Sequence, residues 1–419
     1  MSRMDAGNVS GKVIKGRRCQ VCTGCGLCPG VTPGQGFGDI RILTKGGFDG
    51  QALSLANQEG IRLIAADIGT TTIAMELCGE DGSAKEHFVT LNPQAEMGRD
   101  VLSRIEAAKD LILRKKMQEM VQSALVQGTE RFLKCLKEGE RAVMIIAANT
   151  TMSYLLMGWD PRELGQAPFA ASHLDGARFE LKVMDVEVPC VLLPGFSAFV
   201  GGDLYAGAAV CSMGHSKELT LLVDLGTNGE ILLGNQDGIL ATATAAGPAF
   251  EGGASRGIWG ADMVRYVATL REEGLLDETG LLAEPYFEKG IRIGNVCLTQ
   301  EGIRGFQVAK AAIMAGIKIL TDKSSYSMTD IERVILAGGF GYFLHPADAV
   351  AIGLIPRSLG EKAISGGNTA LAGAKMLGAA LLAKGSLELE VPRAKVINLA
   401  MEPEFQGVYL ESMALCPMD

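Results

Sequence analysis

The sequence lacks an excess of positive charge: 39 lysines and arginines stand against 48 aspartates and glutamates, a formal net charge of −9. That balance argues against a nucleic-acid binder, which would carry a basic footprint. Apolar runs reach strand length only and fall well short of the roughly 20 residues needed to cross a bilayer. Met1 to Gly16 is polar and glycine-containing, unlike a secretory leader, so a cytoplasmic protein without membrane contact is expected. A disulfide framework is not expected in that class. Of the ten cysteines, four fall within ten residues. The other six (Cys78, Cys135, Cys190, Cys211, Cys297 and Cys416) are scattered in mostly apolar surroundings and read as small hydrophobes. Also missing is the Gly-x-x-x-x-Gly-Lys phosphate loop. Any phosphate chemistry must therefore rest on other elements.

Within 419 residues, 47% hydrophobic and carrying 54 glycines, there is enough material for a sizeable core and two to three domains. The organising stretch is Ile64-Ala-Ala-Asp67-Ile-Gly69-Thr70-Thr71-Thr72-Ile-Ala-Met. Apolar runs on either side of a small-residue turn predict a strand, a tight turn and a returning strand. Small residues at such a tip let backbone N–H groups approach an anion, and the threonine hydroxyls add donors. Asp67, at the end of the first strand, suits a hydrated divalent cation beside a phosphate. Taken alone, the stretch is equally consistent with an ordinary hairpin.

The stretch recurs. Leu221-Leu-Val-Asp224-Leu-Gly226-Thr227-Asn228-Gly229-Glu230 aligns Asp224, Gly226 and Thr227 with Asp67, Gly69 and Thr70. Two looser pairs follow in the same order. Ala142 to Asn149-Thr150-Thr151 matches Val334 to Gly338-Gly339-Phe340-Gly341, and Gly201-Gly202-Asp203 matches Gly366-Gly367-Asn368. Three features in the same order, twice, predict a duplicated α/β fold. Its halves would face each other across a cleft and offer one Asp-x-Gly-Thr hairpin each to the same polyphosphate.

That arrangement resembles the actin-like ATPase superfamily, whose two ribonuclease H-like domains enclose a nucleotide, over roughly residues 61–400. Further motifs narrow the resemblance: Asn92-Pro-Gln94, Gly98-Arg-Asp100-Val-Leu-Ser103-Arg104-Ile105, Asn149-Thr-Thr-Met152, Gly226-Thr-Asn-Gly-Glu230, Ala245-Ala-Gly-Pro-Ala-Phe-Glu251 and Ala337-Gly-Gly-Phe-Gly341. Together they are similar to the reductive activators of corrinoid proteins, iron–sulfur ATPases that reduce inactive cob(II)alamin. The resemblance implies ATP and Mg²⁺ as cofactors, a corrinoid methyl-carrier protein as partner, an external electron donor and a possible homodimer.

Within that frame, Asp67 and Asp224 would hold Mg²⁺ through water. Asp224 is the first choice to orient the attacking water, with Glu230 and Glu251 as alternatives. Gly247-Pro248 ahead of Glu251 reads as a turn at a helix start, with N–H groups aimed at phosphate or ribose, or as a plain capped turn. Gly338-Gly339-Phe340 would support the adenosine, because glycine lets backbone pass close to a ligand.

Ahead of the duplicated fold stands Cys19-Gln-Val-Cys22-Thr-Gly-Cys25-Gly-Leu-Cys28-Pro29. Four thiolates at three-residue intervals can wrap one centre. The spacing resembles the bacterial ferredoxin run but has two residues, not three, before the last cysteine. A [4Fe–4S] centre leads, and four-cysteine zinc and an unmetallated segment stay open. The family commonly carries a plant-type [2Fe–2S] domain there, for which residues 1–60 look too short, so cluster type and electron donor are left open.

The expected organisation is a cysteine-rich segment (1–30), a glycine-rich linker (31–60), two actin-like subdomains (61–207 and 208–400) and a C-terminal tail (401–419). Arg99 to Leu136 reads as helix with Leu102, Ile105, Met117, Met120, Val121, Ala124 and Leu125 inward. Gln307–Leu320 reads as helix with Val308, Ala312 and Ile313 inward, and the segment after Leu387 is expected to return to the first domain. Three other functions stay open: activation of a 2-hydroxyacyl-CoA dehydratase-type metalloenzyme, an acetate- or sugar-kinase-like phosphotransferase, and a regulator that uses ATP as a switch.

Overall fold

The computed structural model describes residues 60–226, 228–244, 260–293, 296–341, 344–384 and 391–419. The expectations for the four clustered cysteines, the linker, Thr227, Gly247, Pro248 and Glu251 lie outside the described residues. Strands β1 (Ile61–Ile68), β2 (Thr72–Cys78), β3 (Ala84–Leu91), β4 (Arg141–Ala148), β5 (Ala177–Val183) and β6 (Val186–Leu192) form one sheet in the order β3-β2-β1-β4-β6-β5. After β7 (Thr220–Leu225), β8 (Gly229–Asn235) and β9 (Gly238–Thr244) come a separate two-stranded ribbon, β10 (Ile291–Ile293) with β11 (Val296–Leu298), and then β12 (Arg333–Ala337), β13 (Ala363–Gly367) and β14 (Lys395–Val396). The second sheet has the order β13-β12-β7-β8-β9-β14.

The two sheets repeat one plan. In the first, β1, β2 and β3 form an antiparallel meander and β4 and β6 continue parallel to β1. In the second, β7, β8 and β9 meander and β12 and β13 run parallel to β7. The extra edge strands β5 and β14 distinguish the halves.

Burial explains why β1 and β7 read as continuous apolar runs: both faces are covered. Ile64, Ala66 and Ile68 face one core with α2 (Leu111–Leu133) and α3 (Thr150–Met157), whereas Leu63 and Ala65 face another. That second core is shared. It gathers α4 (Gly202–Val210) and α7 (Thr369–Lys384) between the inner faces of both sheets, including Leu222, Leu232 and Ile335. The opposite face of the second sheet packs on α5 (Gly260–Glu272) and α6 (Gln300–Lys323). The result is five layers, with two crossed helices as the middle one. They cross closely enough that a Cβ at Gly373 would stand 2.0 Å from the Ala206 carbonyl.

Three expectations are corrected. The helical stretch after Arg99 is two helices, α1 (Val101–Ala107) and α2, because the Asp110 carboxylate accepts from the Ile112 and Leu113 amides and starts a new one. Leu102 is 62% exposed and Met120 half-buried, while Ile105 is buried. In α6, Ala312 and Ile313 are buried but Val308 is 43% exposed. At about 100° per residue, Val308 stands about 140° around the helix from Ile313. Finally, the C-terminal segment reaches the first lobe through the Arg393–Asp175 pair at 3.0 Å but otherwise joins the second lobe: β14 extends the second sheet, α8 (Phe405–Glu411) precedes residues pinned to α6, and Lys310 Nζ donates to the Ser412 and Ala414 carbonyls at 2.6 and 2.5 Å.

Candidate functional site

The turn between β1 and β2 is closed by the Gly69 amide donating to the Thr72 carbonyl at 2.9 Å. Asp67 sits one residue before the end of β1, with Thr70 buried beside it and Thr71 exposed. Asn149 comes at the end of the neighbouring parallel strand. Its side-chain oxygen caps α3 through the Met152 amide, and its amide nitrogen donates to the Thr70 hydroxyl at 3.2 Å. The Thr150 hydroxyl donates to the Ser197 carbonyl at 2.6 Å, a bond that serves the lobe itself.

The matching turn in the second lobe has the Gly226 amide donating to the Asn228 carbonyl at 3.0 Å. Asp224 and Glu230 face each other across the β7–β8 ladder, so their side chains share a face. The corresponding partner of Asp67 is Ala74. Gly338 follows β12 at φ +80°, where a Cβ would lie 2.4 Å from the Asp224 Oδ1 and 2.6 Å from the Leu225 carbonyl. Glycine is thus required there by the hairpin that carries Asp224. Gly339 and Phe340 continue the same short helical turn.

Each middle-layer helix brings its first turn to this place. Asn368 caps α7: its side-chain oxygen accepts from the Leu371 amide at 2.8 Å, which leaves its nitrogen to donate across the cleft to Asp67 Oδ2 at 2.7 Å. Asp203 lies in the first turn of α4, and its carboxylate accepts from the Leu204 amide at 2.8 Å. The sequence comparison paired these two positions as part of the duplication without assigning either to the site.

Four carboxyls therefore converge between the lobes. Burial raises Asp67 to about 7, opposed by the Asn368 bond and reinforced by repulsion from Asp203. Asp224 is raised to about 8 by burial and then by repulsion from Asp203 and Asp67. Asp203 rises to about 6 through burial. Glu230 is pushed well above its ordinary range by burial and by Asp203 and Asp224. Asp67, Asp203 and Asp224 nevertheless remain half-buried by surface exposure, so the cleft admits solvent to them. The sequence argument expects Asp67 and Asp224 in a common crevice, and the Asp67 charge is the third of the causes that raise Asp224.

An all-oxygen, acidic donor set suits a hard divalent cation such as Mg²⁺. Among the described residues no group of three or more His, Cys, Asp or Glu is placed to hold a metal directly. Mg²⁺ keeps several waters in its shell and takes one or two carboxylates, which Asp67 and Asp224 would supply.

Two layered sheets of this plan around a shared pair of helices define the actin-like class. The family models agree: residues 63–216 match the RACo middle region, and residues 218–256 and 254–419 match the C-terminal domain of RACo, the ASKHA domain. The chain is 29% identical over 417 residues to the corrinoid activation enzyme RamQ of Eubacterium limosum, covering 83% of this chain and 69% of that protein. A solved structure described as a reductive activator for corrinoid, iron–sulfur protein matches with TM-score 0.74 and 26% identity over 86% of this chain and 67% of that one. The chain belongs to the family of reductive activators of corrinoid proteins. Among the described residues no helix is long and apolar enough to cross a membrane.

Proposed function

We propose that this protein uses ATP to drive a one-electron reduction of cob(II)alamin to cob(I)alamin on a corrinoid methyl-carrier protein. The observation that carries the nucleotide part of the reading is the meeting of two matched hairpins, where Asp224 pairs with Glu230 across β7–β8, Asn368 of the second lobe donates to Asp67 of the first, and Asp203 opens a middle-layer helix. Bound there, Mg²⁺ would neutralise charge on the β- and γ-phosphates. The Asp67 and Asp224 turns would offer amides and hydroxyls to those phosphates, with Thr71 the exposed hydroxyl of the first turn. Asp224 orients the attacking water, with Glu230 beside it to hold that geometry. The Gly338 turn would support the adenosine, and Gly247 and Pro248, with Glu251 after them in the sequence, would contact phosphate or ribose.

Cys19, Cys22, Cys25 and Cys28 would supply the ligands for an iron–sulfur centre, which would provide the electron and be re-reduced by an external low-potential donor. Nucleotide binding brings the lobes together across the α4–α7 hinge and favours the state that docks the corrinoid protein. Such a ligand shifts that equilibrium only by its differential affinity for the two states. Hydrolysis then reopens the cleft, so the electron does not return.

Anaerobic mixing of the protein with a chemical reductant, a cob(II)alamin-loaded carrier protein and ATP tests the proposal. The absorption spectrum of cob(I)alamin is expected only when ATP is present. Equal reduction with and without ATP refutes the coupling.

A further inference from the structure

A guanidinium buried behind the first hairpin has no part in the mechanism above. Arg104 belongs to α1, which starts with a capping box: the Asp100 carboxylate accepts from the Ser103 amide and the Ser103 hydroxyl accepts from the Asp100 amide. Arg104 is 0% exposed. Its Nη2 donates to the Thr70 carbonyl at 2.6 Å, its Nε to the Gly98 carbonyl at 2.8 Å, and its Nη1 lies 3.3 Å from the Met152 sulfur. Asn92, also 0% exposed, completes the support. Its side-chain nitrogen donates to the Gly69 carbonyl at 2.8 Å and its backbone amide to the Thr71 carbonyl at 2.9 Å.

Three successive carbonyls of the turn, those of Gly69, Thr70 and Thr71, are thus drawn toward one side. In a planar trans peptide the carbonyl of one residue and the N–H of the next point in opposite directions. The amides of Thr70, Thr71 and Thr72 are therefore turned away from Asn92 and Arg104. A cation whose charge lies directly behind such amides also raises the potential an anion meets in front of them.

We infer that Arg104 is a positioning residue for polyphosphate: by holding the Thr70 carbonyl it keeps the first hairpin's amides presented to the β- and γ-phosphates. The inference deepens the proposed ATP site and rests on it. Arg104 acts through the hairpin and does not itself touch the nucleotide. Its fork holds two carbonyls at once, those of Thr70 and Gly98, which a lysine ammonium on a flexible stem does not reproduce.

Equilibrium dialysis of the full chain with Mg²⁺ and either ATP or AMP separates this role from a merely structural one. AMP lacks the two phosphates in question. In Arg104→Gln and in Arg104→Lys, the preference for ATP over AMP should fall about tenfold or more, the scale of a lost hydrogen bond to a charged group, with AMP affinity unchanged. Arg104→Lys, which keeps bulk and charge, serves where Arg104→Gln does not fold. A variant that melts at lower temperature yet keeps the wild-type preference overturns the inference. If the wild-type protein itself binds ATP no better than AMP, the nucleotide site falls and the inference with it. Preference in the wild type together with preference in the variants sinks the inference alone.

Discussion

Lys375 anchors the helix that carries Asn368, and removing its charge should be costly. It lies on α7, and its ammonium contacts Glu76 Oε1 on β2 at 2.9 Å, with the two side chains only 9% and 1% exposed. The other Glu76 oxygen is buried 3.7 Å from His87 Nδ1. Lys375→Met leaves a carboxylate in the shared core without its ammonium. The expected loss is about 3–5 kcal/mol, the usual cost of breaking a buried pair by removing one partner. Against the roughly 5–15 kcal/mol of an ordinary domain, that is a large fraction of stability. Lys375→Met combined with Glu76→Met removes both desolvation penalties and should recover most of the loss, because well-packed apolar replacements of buried pairs are often neutral or better. Urea unfolding of the wild type, the single variant and the double variant measures both steps. A single-variant loss below about 1 kcal/mol would refute the reasoning, since surface pairs are worth only that much.

The raised carboxyls should make Mg²⁺–ATP binding at the proposed site proton-linked. Asp224 at about 8 and Asp67 at about 7 hold protons near neutrality that a Mg²⁺–ATP complex must displace, so binding should release protons at pH 7 and tighten from about pH 6 to 8. Calorimetric titration in two buffers of different ionisation enthalpy measures the release, and none at all would contradict the cluster. Lys310, lowered to about 7 from 10.5 by burial, binds its proton more weakly in the folded chain than in the unfolded one. Its contribution therefore makes stability rise between about pH 7 and 10, by at most about 4–5 kcal/mol, and Lys310→Met should flatten that rise in urea unfolding measured across pH. Substituting Cys19, Cys22, Cys25 and Cys28 together by serine should abolish iron, acid-labile sulfide and the EPR signal of the reduced protein while ATP binding persists; retained iron would move the centre elsewhere. Asn368→Asp preserves the cap on α7 but sets a further carboxylate against Asp67; more protons released on Mg²⁺–ATP binding, with slower ATP hydrolysis, is expected, and unchanged proton release would show that Asn368 is only a cap.

The duplication was legible because its marks are local. Asp67-x-Gly69-Thr70 and Asp224-x-Gly226-Thr227 lie on short contiguous stretches where a strand's apolar run meets a turn, and the sheets repeat around them. Val308 and Leu102 were misplaced because periodicity fixes a helix face only as well as it fixes the phase, and α1 and α2 are interrupted at Asp110. Beyond its Arg393–Asp175 pair, the C-terminal stretch was misplaced for another reason. Its location is decided by Lys310, Gln307 and Arg271 donating to carbonyls more than 100 positions away, from Ser412 to Leu415. Nothing in the segment itself encodes those donors. Asn368 and Asp203 were visible as a matched pair. Their place at the site was not, because it depends on how two helices cross between the sheets.

That crossing also shows where a duplicated scaffold stops being symmetric. Each middle-layer helix starts next to a hairpin aspartate of the opposite lobe, yet one starts with an amide and the other with an acid. Asn368 donates to Asp67 and partly offsets the cost of its burial, whereas Asp203 adds its charge against Asp67, Asp224 and Glu230 alike. The second hairpin carries Glu230 where the first has Ala74, which deepens the same bias. Negative charge therefore accumulates on the Asp224 side while Asp67 is held by a neutral donor. A cation and a polarised water gain most where carboxylates repel each other without a donor between them. At the proposed ATP site the first hairpin, braced from behind by Arg104 and Asn92, would then anchor phosphate, and the second would face the bond that breaks.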